Sequence, residues 1–215
     1  MSKVAAHTIY KDEKGKRLPG VTTILGILEK KGLVDWSNNL GLNGINVHKY
    51  VDDKAEIGTL AHYLVMCHLT GEEPDTDDYS QNQIVQANNS FQHYMGWERE
   101  HTVEPILVEG ALVSNVFGYG GTLDLYCKLD GVLTLVDFKT GKGIYDNYLY
   151  QLAAYKNLLE ENLGEVVDGC RILRIGRDET EGFEERVAGS LAIHFELFLH
   201  CLQIYELQKV LRRKS

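Results

Sequence analysis

Two neighbouring β-rich segments carry ionisable residues whose types and spacing suit the binding of a metal ion. Asp124 ends the run Gly-Gly-Thr-Leu-Asp, and the next segment carries Asp137 and Lys139 in the run Asp-Phe-Lys-Thr-Gly. Between the two segments, Asp130-Gly131 is a strong short-range signal for a hairpin with a two-residue turn. This turn sets the register of the hairpin, and the register predicts that Asp124 lies directly opposite Asp137.

The predicted pairing brings two negative charges together. Directly opposed side chains have Cβ atoms about 4.5 to 5.5 Å apart, where like charges are destabilising. A hard divalent cation would offset this repulsion, because Mg²⁺ takes oxygen ligands from carboxylates, water and substrate phosphate. The backbone carbonyl of Phe138 is a further candidate ligand. The alternative interpretation is a pair of surface aspartates whose charge Lys139 neutralises.

Lys139 lies one pleat period beyond Asp137, which predicts that both side chains lie on one face of the strand. An ammonium group beside a metal can orient or help to deprotonate an attacking water, and it can stabilise charge on the phosphate. The other face of the hairpin is apolar and is predicted to form a core surface from Leu123, Leu125, Cys127, Val136 and Phe138.

Helical and strand patterns around the hairpin indicate an α/β fold. Asp146 or Asn147 is expected to cap the helix that follows the hairpin, and Gly164 to end it. No repeat or linker divides the chain, so residues 1–215 are interpreted as one domain with a motif-bearing core at about 50–176. Predicted helices are 21–28, one near Trp36, 50–69, 84–101, 146–162 and 191–213, and predicted strands are 106–114, 122–129, 132–139 and 170–175, with 183–188 compatible with another.

Composition limits the classes of protein to which the chain can belong. It has 215 residues, of which 44% are hydrophobic, and a formal net charge of −9. No apolar run approaches the roughly 20 residues that span a bilayer, and residues 1–17 lack the apolar stretch of a secretory signal. We therefore expect a cytoplasmic protein without a membrane partner. The four cysteines are widely separated, which argues against a zinc or redox motif.

The distribution of charge leaves room for a nucleic-acid partner. A net charge of −9 argues against a protein that coats nucleic acid through its overall field, but not against a local groove. Residues 1–31 hold seven basic and three acidic side chains, and residues 209–214 are also basic. Basic runs of this kind are typical of a solvated surface, and their presence at both ends is also a hint of a phosphate-bearing partner.

Five motifs occur in a fixed order between about residues 19 and 159. They are Pro19-Gly20-Val21-Thr22-Thr23-Ile24-Leu25, Gly58-Thr59-Leu60-Ala61-His62, Gly120-Gly121-Thr122-Leu123-Asp124, Asp137-Phe138-Lys139-Thr140-Gly141, and Gln151 with Tyr155. Together they resemble the PD-(D/E)XK nucleases, specifically the RecB-like exonuclease branch, with the first motif similar to that of phage and mitochondrial genome-maintenance exonucleases. One such motif is weak evidence, whereas five in order indicate the family.

The resemblance implies a fold and a set of roles. The implied fold is a restriction-endonuclease-like core, a central mixed β-sheet flanked by helices, with helical N- and C-terminal additions. Asp124 and Asp137 are implied as metal ligands together with the carbonyl of Phe138, and Lys139 as the catalytic lysine. His62 would be an additional metal ligand supplied by a helix. The implied metal is Mg²⁺ or Mn²⁺.

The resemblance also implies supporting residues. Gln151 and Tyr155 lie four residues apart on one helix face, where they would support the site and contact DNA. Gly58 lacks a side chain and permits its helix to approach strands or substrate closely. Tyr119 could stack on a base. Further supporting or DNA-binding candidates are Thr59, Gly121 and Thr140, and candidate accessory carboxylates are Glu56 and Glu109.

The chain departs from the family pattern at several points. Leu123 replaces the proline of the family name, and Asp137 takes the place of a glutamate, and both changes leave the carboxylate chemistry intact. Ile57 precedes Gly58 where a basic residue is frequent, which argues against one phosphate contact. Some relatives hold an iron–sulfur cluster through four cysteines, three of them close together. The cysteines here do not match, so no cluster is expected.

We therefore expect a Mg²⁺- or Mn²⁺-dependent deoxyribonuclease that degrades linear DNA from an end and leaves a 5′-phosphate. The resemblance implies recombination, replication or end processing in a bacterium or a phage-infected host, with a recombination partner protein or self-association as further options. Two alternatives stay open. One is a catalytically silent nucleic-acid-binding or assembly subunit, and the other is a restriction-type or CRISPR-adaptation-type endonuclease.

Overall fold

The computed structural model describes residues 8–28 and 32–212. Some basic residues at the two ends of the chain, namely Lys3, Lys30, Lys31, Arg213 and Lys214, lie outside these ranges. The elements in chain order are β1 (Tyr10–Lys11), β2 (Arg17–Leu18), α1 (Val21–Leu25), α2 (Leu33–Leu42), α3 (Val47–Thr70), α4 (Gln81–Glu98), β3 (Val103–Ser114), β4 (Tyr119–Leu129), β5 (Val132–Lys139), α5 (Asp146–Leu163), β6 (Gly169–Ile175), β7 (Phe183–Val187) and α6 (Ala192–Arg212).

The centre of the fold is a five-stranded mixed sheet with strand order β3-β4-β5-β6-β7. Strands β5 and β6 are parallel, and the other neighbouring pairs are antiparallel. A parallel pair needs a crossover connection, which α5 supplies. Helices α3 and α4 pack on one face of the sheet, and α1, α5 and α6 pack on the other. The expected α/β fold, with a central mixed sheet, flanking helices and helical terminal segments, is confirmed.

The β4–β5 hairpin has the predicted turn and register. Strand partners extend from the residues that flank the turn to Leu125, which pairs with Val136. Both turn residues have positive φ, 50° at Asp130 and 88° at Gly131, as a type I′ turn requires. The described ladder ends at Leu125. Asp124 and Asp137 lie beyond this end and are not ladder partners, so the predicted pairing of these two residues is wrong.

The apolar face of this hairpin is confirmed with one exception. Four of the five predicted residues, Leu125, Cys127, Val136 and Phe138, belong to the core cluster that α3 and α4 cover. The prediction is wrong for Leu123, which packs in the cluster on the opposite face of the sheet. The reason is that the two-residue alternation breaks between Leu123 and Leu125, where the ladder between β4 and β5 has ended.

The two ends of α5 differ in how well the sequence predicts them. Its N-cap is Tyr145 without a side-chain hydrogen bond, so the expected cap by Asp146 or Asn147 is wrong. Asp146 instead lies in the first turn, where a negative charge still interacts favourably with the helix dipole. Gly164 adopts a φ of 68° and ends the helix as predicted. Within the described ranges, no helix is long and apolar enough to cross a membrane.

Strands β1 and β2 form a short hairpin that the sequence does not predict, because two-residue strands carry no periodic signal. The chain after this hairpin lies beside the start of β4. Gly20 forms a parallel bridge with Gly120, and the Gly120 N–H donates to the Pro19 carbonyl at 3.0 Å. A Cβ on Gly120 would collide with the Tyr10 ring. The first and third sequence motifs are thus in direct contact.

Candidate active site

Two carboxylates are buried next to the end of the ladder between β4 and β5, Asp124 in the middle of β4 and Asp137 near the C-terminal end of β5. Asp137 is 1% exposed and Asp124 is 9% exposed. A buried charge is costly unless nearby groups pair with it or donate hydrogen bonds to it. The compensating groups come from β5, through Phe138 and Lys139, and from α3, through His62.

Asp124 is held by groups from two different elements. Its Oδ1 lies 3.1 Å from His62 Nδ1, and its Oδ2 accepts a hydrogen bond from the Phe138 N–H at 2.6 Å. The second bond forms at the point where the predicted strand pairing is missing. Asp124 is therefore oriented by α3 on one side and by β5 on the other.

These contacts stabilise the ionised form of Asp124. Burial alone would raise the pKa of this carboxyl, but His62, Lys139 and the Phe138 N–H together hold it below its ordinary value. Burial would likewise lower the pKa of the His62 imidazole, but the Asp124 carboxylate outweighs burial and raises it. The two side chains thus favour an ion pair.

Asp137 pairs with Lys139 on the same strand. Lys139 Nζ lies 2.6 Å from Asp137 Oδ2 and 5.1 Å from the centroid of the Tyr148 ring, in a cation–π contact. Burial raises the pKa of Asp137, and Asp124 adds to the increase while Lys139 opposes it. Burial would lower the pKa of Lys139, but Asp137 and Asp124 raise it above its ordinary value.

The other oxygen of Asp137, Oδ1, is buried and has no hydrogen-bond partner among the described residues. Leaving a buried polar atom without a partner costs about 1–3 kcal/mol, and more for a charged group. Such an atom calls for an explanation, of which a bound ion is one.

Glu109 supplies a third carboxylate. Ligand atoms of His62, Glu109 and Asp124 all lie within 4.8 Å of one another. Glu109 lies between Val108 and Gly110, whose partners on β4 are Leu125 and Leu123, the two neighbours of Asp124. Its φ is 48°, and a left-handed conformation at a residue other than glycine costs roughly 1–3 kcal/mol. Burial and the nearby Asp124 carboxylate raise the pKa of Glu109.

This set of donors fits a hard divalent cation. Carboxylate oxygens suit Mg²⁺ and Mn²⁺, an imidazole is a common further ligand, and the unpartnered Asp137 Oδ1 lies buried beside them. Of the predicted ligands, the structure brings His62 and Asp124 together, and it adds Glu109 to them. Asp137 is not a member of this group of three. Its role as a ligand, and that of the Phe138 carbonyl, stay predictions.

Gly58 has the structural role that its motif predicts. A Cβ at this position would lie 2.8 Å from Thr140 Oγ1, so the absence of a side chain lets α3 approach the end of β5. His62 follows one turn later on the same helix. Thr59, between them, donates its hydroxyl to the Ala55 carbonyl at 3.0 Å within the helix.

Gly121 makes space for Tyr155. A Cβ on Gly121 would lie 2.6 Å from Tyr155 Cε1. Gln151 Nε2 donates to the Tyr155 hydroxyl at 2.8 Å, which confirms that these two residues share one face of α5. Tyr155 is 5% exposed, and burial followed by the charge of Asp137 raises the pKa of its hydroxyl. These residues therefore back the site from the α5 side of the sheet.

Two other predicted residues lie elsewhere. The expectation that Tyr119 stacks on a base is wrong, because its ring is fully buried and its hydroxyl donates to the Ala154 carbonyl at 3.0 Å. Alternation along β4 does not reveal that both faces of this strand are covered. Glu56 accepts a hydrogen bond from Gln83 Nε2 at 2.8 Å and is not a member of the group formed by His62, Glu109 and Asp124.

Two contacts near the site are not predictable from local sequence. The Tyr10 hydroxyl forms a hydrogen bond with Thr122 Oγ1 at 2.9 Å, and Thr122 is two residues from Asp124. The two hydroxyl residues are 112 positions apart, so no spacing rule connects them. Tyr148, which lies against Lys139, could have been suspected only from its place in the first turn of the helix after β5.

Comparison with known proteins finds solved structures with a similar fold. No family model and no curated protein matches the chain. Among solved structures, the chain is similar to that of a candidate exonuclease from Eubacterium rectale, with a TM-score of 0.51 and 17% identity over 73% of this chain and 66% of that one. The chain thus spans about two thirds of the length of that protein.

Two further solved structures are more distant. The alkaline exonuclease LHK-Exo from Laribacter hongkongensis gives a TM-score of 0.35 at 13% identity, over 72% of this chain and 84% of that one. LHK-Exo in complex with dAMP gives 0.37 at 15% identity, over 72% and 82%. Scores this low support no argument. The chain therefore shares its fold with the candidate exonuclease from Eubacterium rectale.

Proposed function

We propose that this protein is a metal-dependent deoxyribonuclease that degrades DNA from an end, of the RecB-like phage type that its motifs resemble. One observation carries the proposal: His62, Glu109 and Asp124 present ligand atoms within 4.8 Å of one another, beside the buried pair of Asp137 and Lys139. The fold shared with a candidate exonuclease is compatible with this activity.

The residues of the candidate active site have the chemistry to hold Mg²⁺ or Mn²⁺. Asp124, His62 and Glu109 would bind the ion, with Asp137 and the Phe138 carbonyl as further ligands. A bound ion would polarise the scissile phosphate and lower the pKa of a water molecule. Asp124 is oriented in advance, because the Phe138 N–H and His62 each fix one of its oxygens.

Lys139 is placed to stabilise negative charge that develops on the phosphate. Asp137 Oδ2 lies 2.6 Å from its ammonium, and the ring of Tyr148 lies on a further side at 5.1 Å. A positive group that is fixed before the substrate arrives stabilises the transition state without reorganisation at the moment of reaction. Asp137 and Tyr148 therefore act as positioning residues for Lys139.

The test is degradation of end-labelled linear single- and double-stranded DNA beside a closed circle, with Mg²⁺, Mn²⁺ or EDTA. We expect metal-dependent loss of the linear forms alone, and the label then gives the direction of degradation. Lys139→Ala and Asp124→Ala should abolish cleavage. Lys128→Ala, which removes an exposed lysine from the same hairpin, should cleave normally. Normal cleavage by either site variant would refute the proposal.

A second candidate function is supported by the surface of α6. Ile204, Leu207 and Val210 are 48%, 65% and 46% exposed, as in a helix that packs on a partner. These exposed apolar side chains favour an assembly subunit that packs against another protein. A wild-type protein that binds single-stranded DNA and cleaves nothing with any divalent metal would establish this function instead. Cleavage of the closed circle would indicate an endonuclease.

A further inference from the structure

An exposed aromatic side chain lies at the edge of the candidate active site. Tyr145 is 55% exposed, a larger fraction than that of any other Phe, Tyr or Trp side chain in the described ranges. It is the N-cap residue of α5 and makes no side-chain capping hydrogen bond. A single exposed apolar side chain is common on protein surfaces, so its surroundings determine whether it has a function.

Two contacts connect the Tyr145 ring to Lys139. The ring of Tyr145 contacts the ring of Tyr148 edge to face, with the two centroids 5.6 Å apart. The centroid of the Tyr148 ring in turn lies 5.1 Å from Lys139 Nζ. Because the two spacings are this short, the Tyr145 ring lies within about 11 Å of the ammonium. Successive nucleotides of a stacked strand are about 3.4 Å apart, so this distance corresponds to about three nucleotides at most.

The loop between β5 and α5 leaves the Tyr145 ring accessible. A Cβ on Gly143 would lie 3.9 Å from Tyr145 Cζ, so the ring lies beside a residue that has no side chain to cover it. Gly141 has a φ of 141°, a conformation that favours glycine. Between these two glycines, Lys142 is exposed and has no ion pair with a described residue. The loop thus carries an accessible ring and an available cation directly after the strand that holds Lys139.

An accessible ring and a nearby cation suit an unpaired nucleotide. Proteins bind single-stranded nucleic acid by combining basic groups that contact the backbone with aromatic rings on which bases stack. A base inside a duplex is paired and stacked on its neighbours, and freeing it costs energy. A ring at this place in the protein therefore favours a strand whose bases are already unpaired.

We propose that Tyr145 stacks on a base of the DNA strand that the active site cuts, and that the substrate strand is unpaired at this point. The inference rests on the proposed nuclease function and names its substrate class. The stacked base lies within about three nucleotides of the scissile phosphate. All four bases are accepted, because every base has a π-face. Tyr145 takes no part in bond cleavage.

The experiment measures the affinity of the full chain for short, fluorescently labelled single-stranded oligonucleotides in EDTA. In each oligonucleotide one base is replaced by an abasic site. The wild type should lose affinity by about 5- to 150-fold when the stacked base is absent, as expected for one base–aromatic contact. Tyr145→Ala should show the same loss on the intact strand and no further loss at that abasic position. The two changes form a double-mutant cycle between protein and DNA.

Matched variants separate stacking from other roles of the side chain. Tyr145→Phe and Tyr145→Trp keep a ring and should keep both the affinity and its dependence on the base. Tyr145→Leu keeps an apolar side chain without a ring and should behave as Tyr145→Ala does. Phe117→Ala removes a ring that is 39% exposed between β3 and β4, and this variant should bind normally. Thermal unfolding of each variant confirms that it is folded.

Two further measurements distinguish stacking from charge and from duplex binding. The salt slope of Tyr145→Ala should equal that of the wild type, because no phosphate contact is lost. Tyr145→Ala should also bind a blunt-ended duplex as the wild type does. An altered slope, or an equal loss of affinity on the duplex, would contradict the proposal.

The base dependence decides the outcome. Wild-type affinity in Tyr145→Leu, an abasic loss that is the same in the wild type and in Tyr145→Ala, or a wild type that binds no single strand would overturn the proposal. A wild type that cleaves linear DNA but shows no base dependence refutes this inference alone. A wild type that shows the base dependence but never cleaves with Mg²⁺ or Mn²⁺ refutes the proposed function.

Discussion

Gly121→Ala should destabilise the protein through one specific collision. The added Cβ would lie 2.6 Å from Tyr155 Cε1 and 3.1 Å from Leu158 Cδ1, closer than packed carbon atoms approach. Both contacted side chains are almost completely buried, so neither can move without disturbing the core. Overpacking of this kind costs about 1–3 kcal/mol. For a chain of this length the thermal midpoint should fall by about 2–12 °C.

A double-mutant cycle tests whether the Tyr155 ring is the cause. In a Tyr155→Ala background the space that the ring occupied is open, so adding Gly121→Ala should cost almost nothing further. The coupling energy should therefore equal most of the cost of the single change, about 1–3 kcal/mol. Urea unfolding of the four proteins gives this energy directly. DNA cleavage should fall in Gly121→Ala as well, because Tyr155 and Gln151 must shift together.

Gly96→Ala is the matched control. A Cβ at Gly96 meets no atom within 4 Å, and the residue lies inside α4 with an exposed surface. Alanine is preferred over glycine in a helix interior, so this variant should be more stable by up to about 1 kcal/mol. If Gly121→Ala unfolds at the wild-type midpoint, or if its cost is the same with and without the Tyr155 ring, then the collision with this ring does not determine stability.

Three other predictions test separate parts of the structure. Hydrogen bonds from Arg177 lower the pKa of buried Glu181 against the effect of burial, so this pair's stabilisation is present above the ordinary pKa of 4.5 and is lost as pH falls through the folded value. Glu181→Ala should cost about 3 kcal/mol in urea unfolding at pH 7 and flatten that pH dependence, and an unchanged curve would contradict this. Gly131→Ala should cost about 1–2 kcal/mol, because φ is 88° in the hairpin turn, and wild-type stability would argue against that strain. Glu109→Gln should lower Mn²⁺ affinity in calorimetry at least about tenfold, whereas Glu104→Gln, on the exposed part of the same strand, should not. Equal affinities would remove Glu109 from the candidate metal site.

The parts of the fold that the sequence predicts well are those that local rules determine. The β4–β5 hairpin follows from Asp130-Gly131, because both residues must adopt positive φ and the turn then sets the register. The end of α5 follows from Gly164 for the same reason, since its φ of 68° is a conformation that glycine adopts readily. Gln151 and Tyr155 share a face because helical spacing alone places them there.

The sequence predictions are wrong where contacts between elements that are distant in the chain determine the position of a residue. Tyr119 lies in a strand covered on both faces, and its burial depends on α5 and α6, which follow it in the chain. Leu123 changes face because β4 leaves the ladder with β5 at that point, and Asp124 takes its hydrogen bond from the Phe138 N–H instead. No alternation pattern shows where a ladder ends.

The sequence predicts the candidate site only in part for the same reason. Asp124, Asp137 and Lys139 belong to one hairpin, so local register brings them close. Glu109 depends on the pairing of β3 with β4 and on a left-handed backbone at a non-glycine residue, which propensity rules disfavour. From sequence it could be proposed only as an accessory carboxylate.

Three glycines explain how so many elements converge on the strand ends. Gly58 leaves space for the side chain of Thr140, Gly120 for that of Tyr10, and Gly121 for that of Tyr155. A Cβ at any of the three positions would collide with that side chain. None of these glycines has positive φ, so the turn geometry that often requires glycine does not apply to them. Because they lack a side chain, they let neighbouring elements approach one another closely.

This close approach matters because a hydrogen bond at the site weakens when the distance between donor and acceptor increases by a small amount. His62 lies one turn after Gly58 on α3, and its Nδ1 is 3.1 Å from Asp124 Oδ1. A hydrogen bond weakens strongly beyond about 3.5 Å, so pushing α3 outward by half an ångström would separate the imidazole from the carboxylate. The Gly-Thr-x-x-His spacing therefore encodes how closely α3 approaches β5, and a side chain at Gly58 should impair the site without altering any residue that could bind metal.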